Sequence, residues 1–288
     1  MNILIIHEVD WLKKVSFEIH HLSELLSIQG NNVFAIDVPE PNDFSKNNQK
    51  LENYHRIYEN ASITLYRTPS IPFKGLNRIS ASFFSFNFIK KVIQENKIDV
   101  VLIYSIVTNA KATIKVCNKL KIPIVHRTFD IIHDLIRENY LRDKVRKIEH
   151  EVYPKFNKVI ANTPFMQQWA KEMGSSNVIL IPQGVDPKIM KPLEKDKKLL
   201  SKLGFSQTDK IVLSLGSIES FSGLDLLIST LPEIIKKIPD FKLLIVGGGS
   251  HLSNLQMQVK QLNLQKKVIF TGYVPYNEVP NYCSLSVL

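Results

Sequence analysis

Two apolar runs that end on glycine carry the clearest chemistry in this sequence. IVLSLG (Ile211 to Gly216) leads into the polar turn SIESFSG (Ser217 to Gly223) and then into LDLLISTLPEIIKKI (Leu224 to Ile238), whose apolar residues recur at helical spacing. FKLLIVGGG (Phe241 to Gly249) is a second such run, closed by three glycines. Strand, glycine turn, helix, strand, glycine turn aims the unpaired N–H groups of a helix N-terminus at an anion, so the chemistry expected here is phosphate binding. Gly216, Ser217, Ser222, Gly223, Gly247 and Gly249 are the residues that would line such a site. The plainer alternative is that the first turn only joins a strand to a helix.

These turns need a scaffold, and the alternation of strand and helix patterns supplies one. Strands are expected at 2–6, 33–37, 62–68, 99–105, 123–128, 158–162 and 177–181, and helices at 15–29, 78–96, 109–120, 131–153 and 164–173. Residues 39–60, rich in Asn, Asp and Lys, read as a polar loop. Residues 183–204 hold Gly184, Pro187, Pro192 and the charged run EKDKKLLSK, a linker composition. Beyond it come a strand from Lys210, the helix and strand already named, a helix at 252–262, a strand at 267–272, a short helix at 275–283, and SLSVL, apolar enough to begin a strand. Strands separated by helices imply parallel pairing with right-handed crossovers. The expected fold class is therefore α/β with two Rossmann-like, doubly wound domains: 1–186, a linker at 187–209, and 210–288. The second domain reads as incomplete, since a doubly wound sheet would continue past SLSVL.

Bulk properties narrow the function. A length of 288 residues allows about two domains with cores of their own. With 44% hydrophobic and 22% charged residues the composition is that of a soluble globular protein. No apolar run approaches the roughly 20 residues that span a bilayer, and Ile3 to Ile6 is too short for a signal-peptide core. Cys117 and Cys283 read as buried thiols of a reducing compartment, so the expected location is the cytoplasm. The net charge of +10 calls for an anionic partner or a merely lysine-rich surface. No RNP-like segment, zinc spacing or basic heptad region is present, so nucleic acid is not the expected partner.

Taken together the segments resemble the GT-B glycosyltransferases, specifically glycosyltransferase family 4. VILIPQGVDPKIMKP (Val178 to Pro192) is similar to the family's hinge block, with Gly184 and Asp186 as its hinge residues. LSLGSIESFSGLDLLI (213–228), FKLLIVGGGS (241–250) and VIFTGYVPYNEVPNYCSLSVL (268–288) are similar to three further family blocks, in the family's order. The resemblance implies transfer of a sugar, with retention of configuration, from a nucleotide-sugar donor bound by the C-terminal domain. The acceptor, a glycan or a lipid-linked molecule, would be held by the N-terminal domain. The nucleotide-sugar is a substrate, no cofactor is implied, and no metal is expected, since there is no Asp-x-Asp motif and no His/Cys cluster.

Departures from the family pattern are equally legible. The family has an Arg and a Lys in the first glycine turn, where this sequence has Ser217 and Ser222, so two charge-assisted phosphate contacts are lost. Lys13 and Lys14 follow the first strand, in a loop without the family's Gly-Gly, and stand as substitutes for that charge or as solvated lysines. The family's glutamate pair falls beyond Leu288, so the chain reads either as a fragment or as a truncated protein. The family's catalytic histidine would fall near Phe129 or Asp130. HRTFDIIHDL offers His126, Asp130 and His133 as catalytic candidates and Arg127 on the acceptor or phosphate side. Asp130 also fits a helix N-cap. These departures keep open a second reading, a non-catalytic GT-B-like binding or interaction module. A nicotinamide oxidoreductase is disfavoured because no G-x-G-x-x-G follows the first strand.

One further stretch could act at a membrane. Ile71 to Gln94 combines Phe73, Phe83, Phe84, Phe86 and Phe88 with Lys74, Arg78, Lys90 and Lys91. Such a helix can rest weakly on an anionic membrane surface, or its phenylalanines can be core. The first option would add peripheral association with the inner membrane face to a cytoplasmic protein.

Overall fold

The computed structural model describes residues 1–13, 16–41, 50–73, 75–104, 106–136 and 138–287. The chain divides into two compact units, Met1–Gly184 and Val185–Leu288.

In the first unit the apolar runs become parallel strands β1 (Asn2–Ile6), β2 (Asn32–Asp37), β4 (Ile63–Arg67), β5 (Val100–Ile103), β6 (Ile124–Thr128), β7 (Lys158–Ala161) and β8 (Val178–Leu180). With the antiparallel edge strand β3 (Lys50–Tyr54) they form one sheet in the order β3-β4-β2-β1-β5-β6-β7-β8. The order turns outward in both directions from β1, so the C-terminal ends of β1 and β5 flank the switch point where open α/β sheets bind ligands. Helices α1 (Glu18–Ile28), α2 (Asn77–Glu95), α3 (Ala110–Leu120), α4 (Asn139–Val152) and α5 (Pro164–Glu172) cover the sheet. Successive strand side chains feed two separate cores. Leu4 and Ile6 pack with Val101, Ile103 and Ile114 on one face. Ile3 and Ile5 pack with Val33, Ala35 and Leu65 on the other. A strand buried on both faces reads as a continuous apolar run, which is why NILII is so plain in the sequence.

Three sequence expectations need correcting. The polar loop at 39–60 contains β3, whose KLENY pattern is that of a half-solvated edge strand and carries little apolar signal. The single helix expected at 131–153 is broken into a 3-10 turn at Ile132–Leu135 and α4 from Asn139. The break is held by Glu149, whose two carboxylate oxygens accept from the Ile132 amide (3.0 Å) and pair with His133 Nδ1 (2.5 Å). Third, residues 187–209 are not plain linker. They contain α6 (Lys197–Lys202), capped by the Asp196 carboxylate on the Lys198 and Leu199 amides, and Leu200 and Phe205 are buried in the second unit's core.

In the second unit, parallel strands β9 (Lys210–Leu215), β10 (Phe241–Val246) and β11 (Val268–Gly272) form a sheet in the order β11-β10-β9. It is accompanied by α7 (Leu224–Lys237), α8 (Leu252–Gln261) and α9 (Val279–Leu285). The double burial repeats here: Leu243 and Ile245 face one core with α7 and α8, while Leu244 and Val246 face another with α6 and α9. Of SLSVL, Ser284 and Leu285 belong to α9, and the Val287 amide donates to Ile211 O of β9 at 2.9 Å, in the manner of a strand. Cys117 is buried and Cys283 half-buried, both as free thiols. Among the described residues no helix is long and apolar enough to cross a membrane.

Candidate functional site

The first unit holds a cleft of about 450 Å³ at the switch point. An aromatic column crosses the strand ends there. His7, after β1, stacks on Tyr104, after β5 (5.8 Å between centroids), and Tyr104 stacks on Phe129, after β6 (5.7 Å). The Arg127 guanidinium lies 4.8 Å from the centre of the Phe129 ring. His7 Nδ1 accepts the Val9 amide at 3.0 Å, which leaves its proton on Nε2. Burial, and then the Arg78 charge, lower the His7 pKa to about 4, so the ring is neutral near pH 7. Glu8 accepts the Thr108 amide at 2.8 Å and has Arg78 Nη1 3.7 Å away at the lip.

His126 is buried, and its Nδ1 donates to Ile103 O at 2.9 Å. Burial lowers its pKa to about 4, so it is a neutral ring, poorly suited to act as an acid. Its Nε2 lone pair and the Asn162 Oδ1 are both buried without a hydrogen-bond partner, and both residues line the cleft. Unsatisfied acceptors of this kind suit hydroxyl donors. Asp130 is exposed on the cleft wall and makes no hydrogen bond or ion pair among the described residues. It caps no helix, because the helix it was expected to open does not start there and the 3-10 turn carries no side-chain cap.

Two other candidates have structural employment instead. Arg127 is nearly fully buried, with Nε and Nη2 both donating to the Glu18 carboxylate at 2.8 Å and Nη1 to Ile181 O at 2.6 Å. Its charge is therefore matched within the fold and is not open to a phosphate. His133 is committed to the buried Glu149 and does not line the cleft. Lys13 is exposed and likewise outside the cleft lining; Lys14 lies outside the described residues. Gly184 and Asp186 flank the division between the units. Asp186 Oδ1 accepts the Lys188 amide at 2.8 Å, and a side chain at Gly184 would meet nothing. Sequence reasoning missed His7, Glu8, Glu18, Tyr104 and Asn162. The signal available was position: His7, Glu8, Tyr104 and Asn162 directly follow strands.

In the second unit the two glycine turns lie against each other. Gly216 N donates to Val246 O and Ile218 N to Gly248 O, both at 3.0 Å. A Cβ at Gly247 would stand 1.9 Å from Gly216 O, and one at Gly249 would stand 2.2 Å from Ile218 O. Only glycine allows this approach. The stacking leaves α7 opening at Gly223 (φ 73°) with no side-chain cap, so its first-turn amides lack a side-chain partner. Ser217 is exposed and without a hydrogen bond among the described residues. The Ser222 hydroxyl instead donates to Glu219 O at 2.7 Å, inside its own turn. Glu219, also missed, accepts Ser250 Oγ at 2.5 Å and ties the turns together, and Asp225 accepts His251 Nε2 at 2.8 Å.

Comparison with known proteins gives this geometry its context. Residues 18–189 match the family described as Glycosyltransferase Family 4, and residues 195–288 match Glycosyl transferases group 1. The chain belongs to glycosyltransferase family 4. Over 282 residues it is 24% identical to the alpha-monoglucosyldiacylglycerol synthase of Streptococcus pneumoniae, covering 93% of this chain and 60% of that protein. Over 107 residues it is 32% identical to a GDP-mannose-dependent alpha-(1-6)-phosphatidylinositol monomannoside mannosyltransferase of Mycolicibacterium smegmatis, covering 37% of this chain and 28% of that one. The chain thus spans at most about 60% of the length of these curated relatives. Among solved structures, the sucrose-phosphate synthase of Thermosynechococcus elongatus superposes with a TM-score of 0.75 at 17% identity, over 99% of this chain and 73% of that one. That likeness fixes the fold as GT-B.

The membrane candidate divides in two. Phe86 and Phe88 pack against the first core with Ile89, Val92 and Ile93. Leu76, Ile79 (68% exposed) and Phe83 (82% exposed) form an outward stripe at i, i+3, i+7 spacing, flanked by Phe73 and Phe84. Lys74 lies outside the described residues.

Proposed function

We propose that the protein transfers a sugar from a nucleotide-sugar donor to a lipid-linked acceptor at an anionic membrane surface, with retention of anomeric configuration. The observation that carries this reading is the uncapped α7 N-terminus beneath the stacked glycine turns, set in a family-4 chain. In the proposed reaction the donor's anomeric C–O bond breaks and the nucleoside diphosphate leaves against the α7 amides and the Ser217 hydroxyl. The acceptor oxygen bonds to the same face of the sugar, and its proton departs with the diphosphate. Within the first unit's cleft, Asp130 is a carboxylate without a partner among the described residues, and neutral His126 and Asn162 accept hydroxyl hydrogen bonds from the acceptor. The names of two relatives include diacylglycerol and phosphatidylinositol, which supports a lipid-linked acceptor.

Calorimetric titration with UDP, GDP and their sugars, with transfer assayed on the same sample, tests the reading. Binding of at least one nucleotide supports it, and binding of none overturns it for this chain. Ser217→Arg should tighten diphosphate binding about tenfold, since a charge-assisted hydrogen bond contributes about 1.5–3 kcal/mol. An unchanged affinity would place the diphosphate elsewhere. For the membrane part, Ile79→Ser/Phe83→Ser should abolish co-flotation with phosphatidylglycerol-containing vesicles at low salt. Wild-type chain that never floats removes membrane association from the reading.

A further inference from the structure

Between α2, α3 and the end of α4, a second cavity of about 510 Å³ is cut into the first unit, and it shares no lining residue with the cleft. Its walls come from α2, from α3 with the two residues Val107 and Thr108 before it, and from the end of α4 with Lys155 beyond it. Phe86, Val107 and Ala112, half-buried over the core residues Ile114 and Val152, give it apolar walls. Its rim is cationic: Lys111, Lys115 and Lys155 surround a single acid, Glu151. Glu151 is shared, paired with Lys111 through one carboxylate oxygen and with Lys155 through the other at 3.3 Å. Lys115 has no ion pair among the described residues. The rim therefore carries three positive charges against one negative. Apolar walls under a cationic rim fit an anion with an apolar tail better than a free ion, which would gain nothing from the walls.

Position points to where that amphiphile comes from. Ser82 and Phe86 line the cavity, and at about 100° per residue they lie beside Ile79 and Phe83 on the α2 surface. The groove thus opens alongside the exposed apolar stripe. We propose that this groove takes the phosphodiester headgroup and proximal chain of an anionic phospholipid, with Lys111 and Lys115 at the phosphate and the half-buried Phe86, Val107 and Ala112 along the chain. The proposal rests on the reading that the first unit works at an anionic membrane surface and gives that surface a specific lipid contact. A headgroup held here would leave the cleft free for substrate.

The test uses the full 288-residue chain and monomeric dihexanoylphosphatidylglycerol, below its micelle concentration, followed by amide shifts along α3. Saturable shifts at Lys111–Asn118 are expected, with dihexanoylphosphatidylcholine binding at least about tenfold more weakly. Lys115→Glu, at an exposed residue without an ion pair among the described residues, should weaken the anionic lipid about tenfold, since it replaces a charge-assisted phosphate contact by a like charge. Ile79→Ser/Phe83→Ser should keep monomer binding while losing vesicle flotation. Equal binding by Lys115→Glu, or no binding at all, overturns the groove, even if the wild type still floats with vesicles and the membrane reading stands. Inorganic phosphate competing as well as the lipid would assign the rim to free phosphate and also overturn the proposal.

Discussion

Gly247→Ala is expected to destabilise the second unit by about 4 kcal/mol and to abolish nucleotide binding. Gly247 sits at φ 137°, where a side chain strains the backbone by about 1–3 kcal/mol. The added methyl would also stand 1.9 Å from a backbone oxygen, Gly216 O, which cannot rotate away. Overpacking of that kind costs about 1–3 kcal/mol more. Relief requires the two turns to part, which breaks the Gly216–Val246 and Ile218–Gly248 bonds and displaces the start of α7. Gly30→Ala is the comparison: its φ is also positive, at 86°, but its Cβ would meet nothing within 4 Å. That change should cost about 1 kcal/mol. Hydrogen exchange resolved over β9, α7 and β10 for Gly247→Ala, and over α1 and β2 for Gly30→Ala, would read the two. Equal protection loss in the two variants would mean the stacked turns are not tightly held.

Arg67→Met should destabilise the first unit by about 3–5 kcal/mol at pH 8, the usual cost of stripping a buried charge of its partner. Arg67 is fully buried between two fully buried carboxylates, donating through Nη2 to Asp10 at 2.7 Å and through Nε to Asp37 at 2.9 Å. Those carboxylates hold the chain after β1. Asp37 accepts the Trp11 amide, and Asp10 accepts the Leu12, Lys13 and Glu40 amides. Two acids on one base leave a surplus negative charge out of water. Burial accordingly pushes Asp37 up to about 7, against the opposing pull of Arg67, from an ordinary value of 3.8.

The sign follows from proton counts. Between about pH 4 and 7 the folded chain keeps a proton that the unfolded chain has released, so this group's contribution is full below pH 4 and is lost as pH rises through 7. Without Arg67 the folded value rises further, so the Arg67→Met penalty should be smaller at pH 5 than at pH 8. Trp11 and Trp169, the two tryptophans of the chain, both lie in the first unit, so fluorescence-detected urea unfolding reports it alone. A penalty that does not change with pH would refute the assignment of the titration to Asp37.

The candidate site was legible where it depends on backbone and not where it depends on partners. Gly216, Gly223, Gly247 and Gly249 could be marked from the sequence because a glycine ending an apolar run reports a local backbone demand. Ser222 could not be judged, since its hydroxyl is committed to Glu219 O by the way the turn closes. HRTFDIIHDL shows two histidines and an aspartate, yet nothing in it distinguishes a neutral core ring, a structural pair and a free carboxylate. His126 is the first because Phe156 and Tyr153 pack on it, His133 the second because Glu149 comes round beneath it, and Asp130 the third because no described residue pairs with it.

By itself the sequence determined the alternation of elements, the parallel pairing of most strands and the position of the glycine turns. Those features follow from periodicity and backbone conformation, which act over a few residues. The tertiary structure alone decided that Arg127 is closed to ligands, because its partner Glu18 lies 109 positions away. It alone assembled His7, Tyr104 and Phe129 into one column at the switch point, and it alone separated the half-buried Phe86 and Phe88 from the exposed Ile79 and Phe83 on a single helix. Charge matching and burial depend on which distant segments meet, and that is fixed by how the sheet is wound.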